Sequence, residues 1–162
     1  MRRLAGGGLL ALLFLPSAGL GAVLTATLPD GREIAHLSVP EGSGWCVLWR
    51  HSVKGFEVKD CYENRAGHMV LVRSHQPDFA AGLGHWIGRG RQVSDGAGGY
   101  WIEDIDEPVP GDAYVLRPGT MAVNHRLKAA SGEVSLSALA THARVTIALE
   151  PAPPSSPETT DD

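Results

Sequence analysis

Three shortages define this chain before any motif does: few cysteines, no surplus of charge of either sign, and no long amphipathic helix. Two cysteines among 162 residues, without a Cys-x-x-Cys spacing, argue against a redox pair and leave no second pair for a structural zinc site. The formal net charge of −4 is made largely at the ends. With Arg2, Arg3, Glu150, Glu158, Asp161 and Asp162 set aside, residues 23–149 carry 12 basic and 14 acidic side chains. Such a balance gives no electrostatic footprint for nucleic acid and no polybasic patch for anionic lipid. The seven histidines, at positions 36, 51, 68, 75, 85, 125 and 142, never sit two, three or four residues apart. No metal site is expected from that spacing.

Signatures of catalysis and of phosphate binding are missing as well. His51, Ser52 and Asp60 invite a hydrolase reading, since a nucleophile needs a base and the base an orienting acid. On a strand, however, adjacent His51 and Ser52 point to opposite faces, and no Gly-x-Ser-x-Gly elbow is present. Arg89 and Arg91, set among glycines, offer bidentate donors to an anion. No Gly-x-Gly-x-x-Gly or Walker spacing accompanies them, and no helix follows to lend its N-terminus. The expectation is a domain that is not an enzyme and takes no cofactor.

What is present is β-patterned, and it centres on the stretch from Trp45 to Glu63. Apolar and polar residues alternate on both sides of Ser52-Val53-Lys54-Gly55, the pattern of two half-buried strands joined by a short turn. Trp45, Val47, Trp49 and His51 share one face with Phe56, Val58, Asp60 and Tyr62, and that face is expected to be the core. A four-residue turn pairs residues whose numbers sum to 107, so Cys46 faces Cys61 on the other side of the sheet. A disulfide between them is expected in an exported chain. His51 and Asp60 are polar members of an aromatic face; buried, each needs a partner, for which His125 and Arg89 are the candidates.

Around this hairpin, Asp30-Gly31 separates two β-rich runs, Val23 to Leu28 and Glu33 to Val39, as a turn that uses the positive φ open to glycine. Further strands are expected over His68 to Arg73, Tyr100 to Ile105, Tyr114 to Arg117, Thr120 to Leu127 and His142 to Leu149. Ser135 to Ala140 reads as a short strand or one helical turn. Residues 76–99, with Pro77, Gly82, Gly84, Gly88 and Gly90, read as a long irregular loop, a place for a ligand site. About eight short strands with glycine and proline turns imply an all-β fold, an antiparallel sandwich or small barrel.

Both ends differ from the middle. Arg2 and Arg3 precede an uncharged run, Leu4 to Leu15, then Pro16 and small residues up to Ala22, which resembles a secretory leader. The uncharged stretch also reaches Leu28, long enough for an anchor that is not cleaved. Residues 1–22 are therefore a signal peptide or an N-terminal membrane anchor, residues 23–149 one β domain, and residues 150–162 a proline-rich acidic tail with nothing to form a core. Either reading exports the domain to the periplasm, free or held at the inner membrane, with any membrane contact through that anchor.

At Trp49-Arg50-His51-Ser52-Val53 the chain resembles the domain-of-unknown-function 1850 family, small exported bacterial proteins whose genes lie beside TAXI-type TRAP transporters. The preceding Asp30-Gly31 turn, Glu57-Val58-Lys59-Asp60 in part, Phe79-Ala80-Ala81-Gly82-Leu83-Gly84 and His125-Arg126-Leu127 extend the resemblance over most of residues 23–149. Lys54 and Glu57 depart from the family pattern, which has an acidic or polar residue and a proline there. The resemblance implies an export address and a transporter subunit as partner, with no assigned reaction. The functional expectation is an exported accessory or binding domain using His51, Ser52, Asp60, Arg89 or His125. The alternatives are a small-ligand module built on loop 76–99 and, less favoured, a small hydrolase.

Overall fold

A computed structural model describes residues 21–76 and 88–152. Strands β1 (Ala22–Thr27), β2 (Glu33–Ser38), β9 (Ala113–Leu116) and β12 (Val145–Pro151) form a four-stranded antiparallel sheet in the order β2-β1-β12-β9. The second sheet has eight strands. Along it run β11 (Gly132–Ser135), β10 (Arg126–Ala129), β3 (Gly44–Arg50), β4 (Glu57–Arg65), β5 (His68–Gln76), β7 (Tyr100–Glu103) and β6 (Arg91–Ser94), with β8 (Glu107–Pro108) also paired to β5. The fold is thus an open sandwich and not a closed barrel. The twelve strands among the described residues exceed the eight or so expected because β6, β8 and β11 are only two to four residues long, too short for alternation to show.

The central hairpin has the register that its turn dictates. Cys46 pairs with Cys61 and Val47 with Asp60, and beyond the strand ends the His51 N–H donates to the Phe56 carbonyl at 2.8 Å. Cys46 and Cys61 are disulfide-bonded. Trp45, Val47, Met69 and Leu127 of this sheet pack in the interior with Leu24, Leu37, Val145, Ile147 and Leu149 of the other. A second cluster, Leu71, Tyr100, Ile102 and Ile105, is built within the larger sheet alone. At the first turn, Gly31 has φ +85° and its N–H closes onto the Leu28 carbonyl at 2.9 Å.

Some expected elements differ. Thr120 to Leu127 is not one strand: the Val123 and Asn124 N–H groups both donate to the Thr120 carbonyl, making a turn, and β10 starts only at Arg126. Ser135 to Ala140 resolves to a helical turn, α1 (Leu136–Ala140), because the Ser135 hydroxyl accepts the Ala138 N–H as its N-cap. Of the expected loop 76–99, residues 91–94 are β6, and residues 77–87 lie outside the described residues. The expected leader or anchor and the acidic tail also lie outside them, apart from residues 21–22 and 150–152. No helix among the described residues is long and apolar enough to cross a membrane.

Candidate functional site

Alternation on β4 aims Val58, Asp60 and Tyr62 into the sandwich, and an irregularity on the next strand decides what Asp60 meets there. Between β4 and β5 the register slips from Cys61 opposite Arg73 to Tyr62 opposite Leu71, so Val72 is an extra residue. Such a bulge inverts which side chains face inward from that point on. Ser74 and Gln76 consequently share the inner face with Asp60, and the Ser74 hydroxyl donates to Asp60 Oδ1 at 2.6 Å. Gln76 in turn accepts the Tyr100 hydroxyl at 2.9 Å. The bulged Val72 carbonyl is taken up by the Ile105 N–H at 3.1 Å.

Asp60 lies on a pocket of about 210 Å³ between the sheets, lined also by Val47, Trp49, Tyr62, Tyr114, Leu116 and His125. Two aromatic stacks contribute to the walls. On one, Tyr62 lies between Trp45, at 5.5 Å, and Tyr114 of the opposite sheet, at 5.4 Å. On the other, Trp49 stacks against His125 at 6.0 Å. The His125 Nδ1 accepts the Gly119 N–H at 3.1 Å, which puts the ring proton on Nε2 and makes that atom a donor.

Burial sets the protonation of this site. It pushes the Asp60 carboxyl up from the ordinary carboxylate range, against the weaker pull of the Ser74 hydrogen bond and the Arg89 charge. It pushes the Tyr62 and Tyr114 phenols up as well, with the Asp60 charge adding to both. His125 is moved down by the same cause, so its ring is held neutral. The Tyr114 phenol lies near enough to both Trp45 and Tyr62 for each to act on its titration, although the Trp45 indole N–H and the Tyr114 hydroxyl meet no partner of full hydrogen-bond geometry among the described residues. Buried polar atoms of this kind are uncommon, and each calls for an occupant or a water.

The five residues that sequence reasoning proposed do not converge. Asp60 and His125 share the pocket. His51 does not reach it: its Nδ1 accepts the Val53 and Lys54 N–H groups at 3.3 and 3.2 Å, and its ring leans on Phe56 at 5.1 Å. The inner face therefore ends at Trp49 and Val58, and His51 closes its own turn. Ser52 is exposed on that turn. Arg89 forks onto Glu107 Oε2 at 3.1 and 2.7 Å, and only its charge is felt at Asp60. Ser74 and Tyr114 escaped notice because one depends on a bulge and the other on a strand of the second sheet. No group of three or more metal-ligating side chains is present among the described residues.

A larger groove of about 550 Å³ crosses the outer face of the bigger sheet, over the disulfide, with Arg73, Lys128 and Glu63 on its flanks. Its space comes from small residues, among them Gly42, Gly44, Ala129 and Ala130, and polar groups do not converge in it as they do around Asp60. The family model described as a domain of unknown function (DUF1850) matches residues 46–136. That span contains every residue lining the inter-sheet pocket. No curated protein and no solved structure matches the chain.

Proposed function

The chain belongs to the DUF1850 family, whose model covers more than half of it, and from that premise we propose that it is an exported, non-enzymatic accessory domain that binds a small polar ligand between its sheets. The observation that carries this reading is the pocket around Asp60. A shielded carboxyl, the His125 imidazole and the Tyr114 phenol lie about a cleft walled by aromatic rings. Pockets for drug-sized ligands run to roughly 300–1,000 Å³, so the occupant of this smaller one is a small molecule, and it supplies hydrogen-bond acceptors. A catalytic reading lacks its parts: the His51 lone pair is taken by backbone, and Ser52 stands exposed away from Asp60.

The proposed setting is the periplasm, in service of a TAXI-type TRAP transporter. The disulfide between Cys46 and Cys61 agrees with an oxidising compartment, and the transporter association follows the gene neighbourhood of the family that the Trp49 to Val53 segment resembles. Two-dimensional NMR of the full chain, titrated with a panel of small carboxylic acids, amides and sugars, tests the pocket. At least one solute is expected to move the resonances of Trp49, Tyr114 and His125 together, and Tyr114→Phe to weaken it about tenfold, the loss of one buried hydrogen bond. Shifts confined to residues 88–99 would favour the loop-borne module instead, and hydrolysis of an ester or amide panel would restore the enzyme reading.

A further inference from the structure

The arginines of this domain divide by position. Arg65 pairs with Glu63 and Asp106, Arg89 with Glu107, Arg91 with Glu103 and Asp104, and Arg126 with Glu57 and Glu133. Arg73 sits over the Trp101 ring, 4.7 Å from its centroid. Arg32, Arg50, Arg117 and Arg144 are exposed and have no ion pair with a carboxylate among the described residues.

The register gathers these four at one pole of the sandwich. Ala22 pairs with Pro151, and the Ala152 N–H donates to the Gly21 carbonyl at 2.7 Å, so the chain enters and leaves at the other pole. Arg32 closes the β1–β2 turn opposite Leu28. Arg50 ends β3, its N–H bonded to the Val123 carbonyl of the β9–β10 loop at 2.7 Å. Val145 faces Leu116 at the end of the β9–β12 ladder. One step further brings Arg144 opposite Arg117, and the His142 N–H, bonded to the Pro118 carbonyl at 2.7 Å, keeps the two segments together. Like charges at opposed positions cost stability, and Asp30, in the same turn as Arg32, accepts the Arg32 backbone N–H.

Apolar side chains stand exposed at the same pole: Val53 (83%) on the hairpin tip, Met121 (54%) on the β9–β10 loop and Leu139 (52%) on α1. The helix is held beside that loop by bonds between Ser137 and the His125 backbone. Arginine and methionine around an apolar centre are the residues that protein interfaces favour.

We propose that this pole docks an acidic surface of a partner protein, with Arg117 and Arg144 as its charged centre and Val53, Met121 and Leu139 as its apolar contacts. A membrane is the poorer occupant. Residues 21–22 lie at the opposite pole, so under the anchor reading the arginines face away from the bilayer. The test uses the full chain with two probes, a glutamate-rich peptide and phosphatidylglycerol vesicles. Peptide binding is expected to weaken with salt, to fall about tenfold or more in Arg117→Glu/Arg144→Glu, and to survive Arg91→Glu, which removes a cation elsewhere. Absence of peptide binding, equal loss in Arg91→Glu, or binding to vesicles alone would overturn the proposal. Because the peptide reads the pole, its outcome is separate from the NMR shifts that read the pocket.

Discussion

Asp60 shows what a single residue contributes here. Its carboxyl is raised by burial in the folded state, so the native form holds its proton more tightly than the unfolded chain does. The stabilisation is full below the ordinary carboxylate pKa near ~3.9, and it is lost as pH climbs from there through the raised folded value. Asp60→Asn keeps the shape and cannot ionise. Denaturant melts across pH 3 to 8 are expected to show the variant's stability declining less over that window, and the variant equal to or above wild type at neutral pH. Ser74→Ala removes the carboxylate's donor and is expected to cost roughly 1–3 kcal/mol at pH 7, with a smaller loss near pH 4. Identical pH profiles for Asp60→Asn and wild type would place the carboxyl in solvent. That Asp60 points inward was legible from its alternation with Val58 and Tyr62. Its partner was not, since Ser74 faces inward only by virtue of the extra Val72.

Among the elements, the β3–β4 hairpin was read most fully, because a four-residue turn leaves one register and the register places Cys46 beside Cys61. Their disulfide spans 15 residues, a loop whose closure is worth about 3 kcal/mol on the chain-entropy model. Cys46→Ser/Cys61→Ser is expected to lose about that much in urea unfolding, and a loss below about 0.5 kcal/mol would show that the hairpin is equally constrained in the unfolded reduced chain. The hairpin's tip was read less well. Alternation assigned His51 to the core face, but a pattern does not report where a strand stops, and beyond Arg50 the backbone turns so that the imidazole accepts the N–H groups of Val53 and Lys54. The Thr120 to Leu127 run failed for a related reason. Its alternating residues satisfied the period of a strand while the Thr120 carbonyl collected two N–H groups into a turn, a choice of backbone bonding to which side-chain pattern is blind.

For the molecule as a whole, the all-β class followed from short alternating runs and turn residues, whereas the sandwich needed pairings between distant strands that no local signal carries. The export proposal belongs to this scale. Residues 1–30 fused to a reporter active only outside the cytoplasm are expected to give signal, and a silent fusion at normal expression would remove the periplasmic reading. N-terminal sequencing of the mature protein separates a cleaved leader from a retained anchor.

The order of the smaller sheet, β2-β1-β12-β9, has a consequence in time. Its first-made and last-made strands are neighbours, and β12 is the strand that joins the β1–β2 pair to β9. A chain halted before Val145 therefore owns a hairpin and a lone strand with no bridge between them. Such long-range pairing makes folding slow compared with helical domains. Under the export proposal, a chain threaded through a membrane unfolded gains from this layout, because the smaller sheet cannot close until β12 has been synthesised.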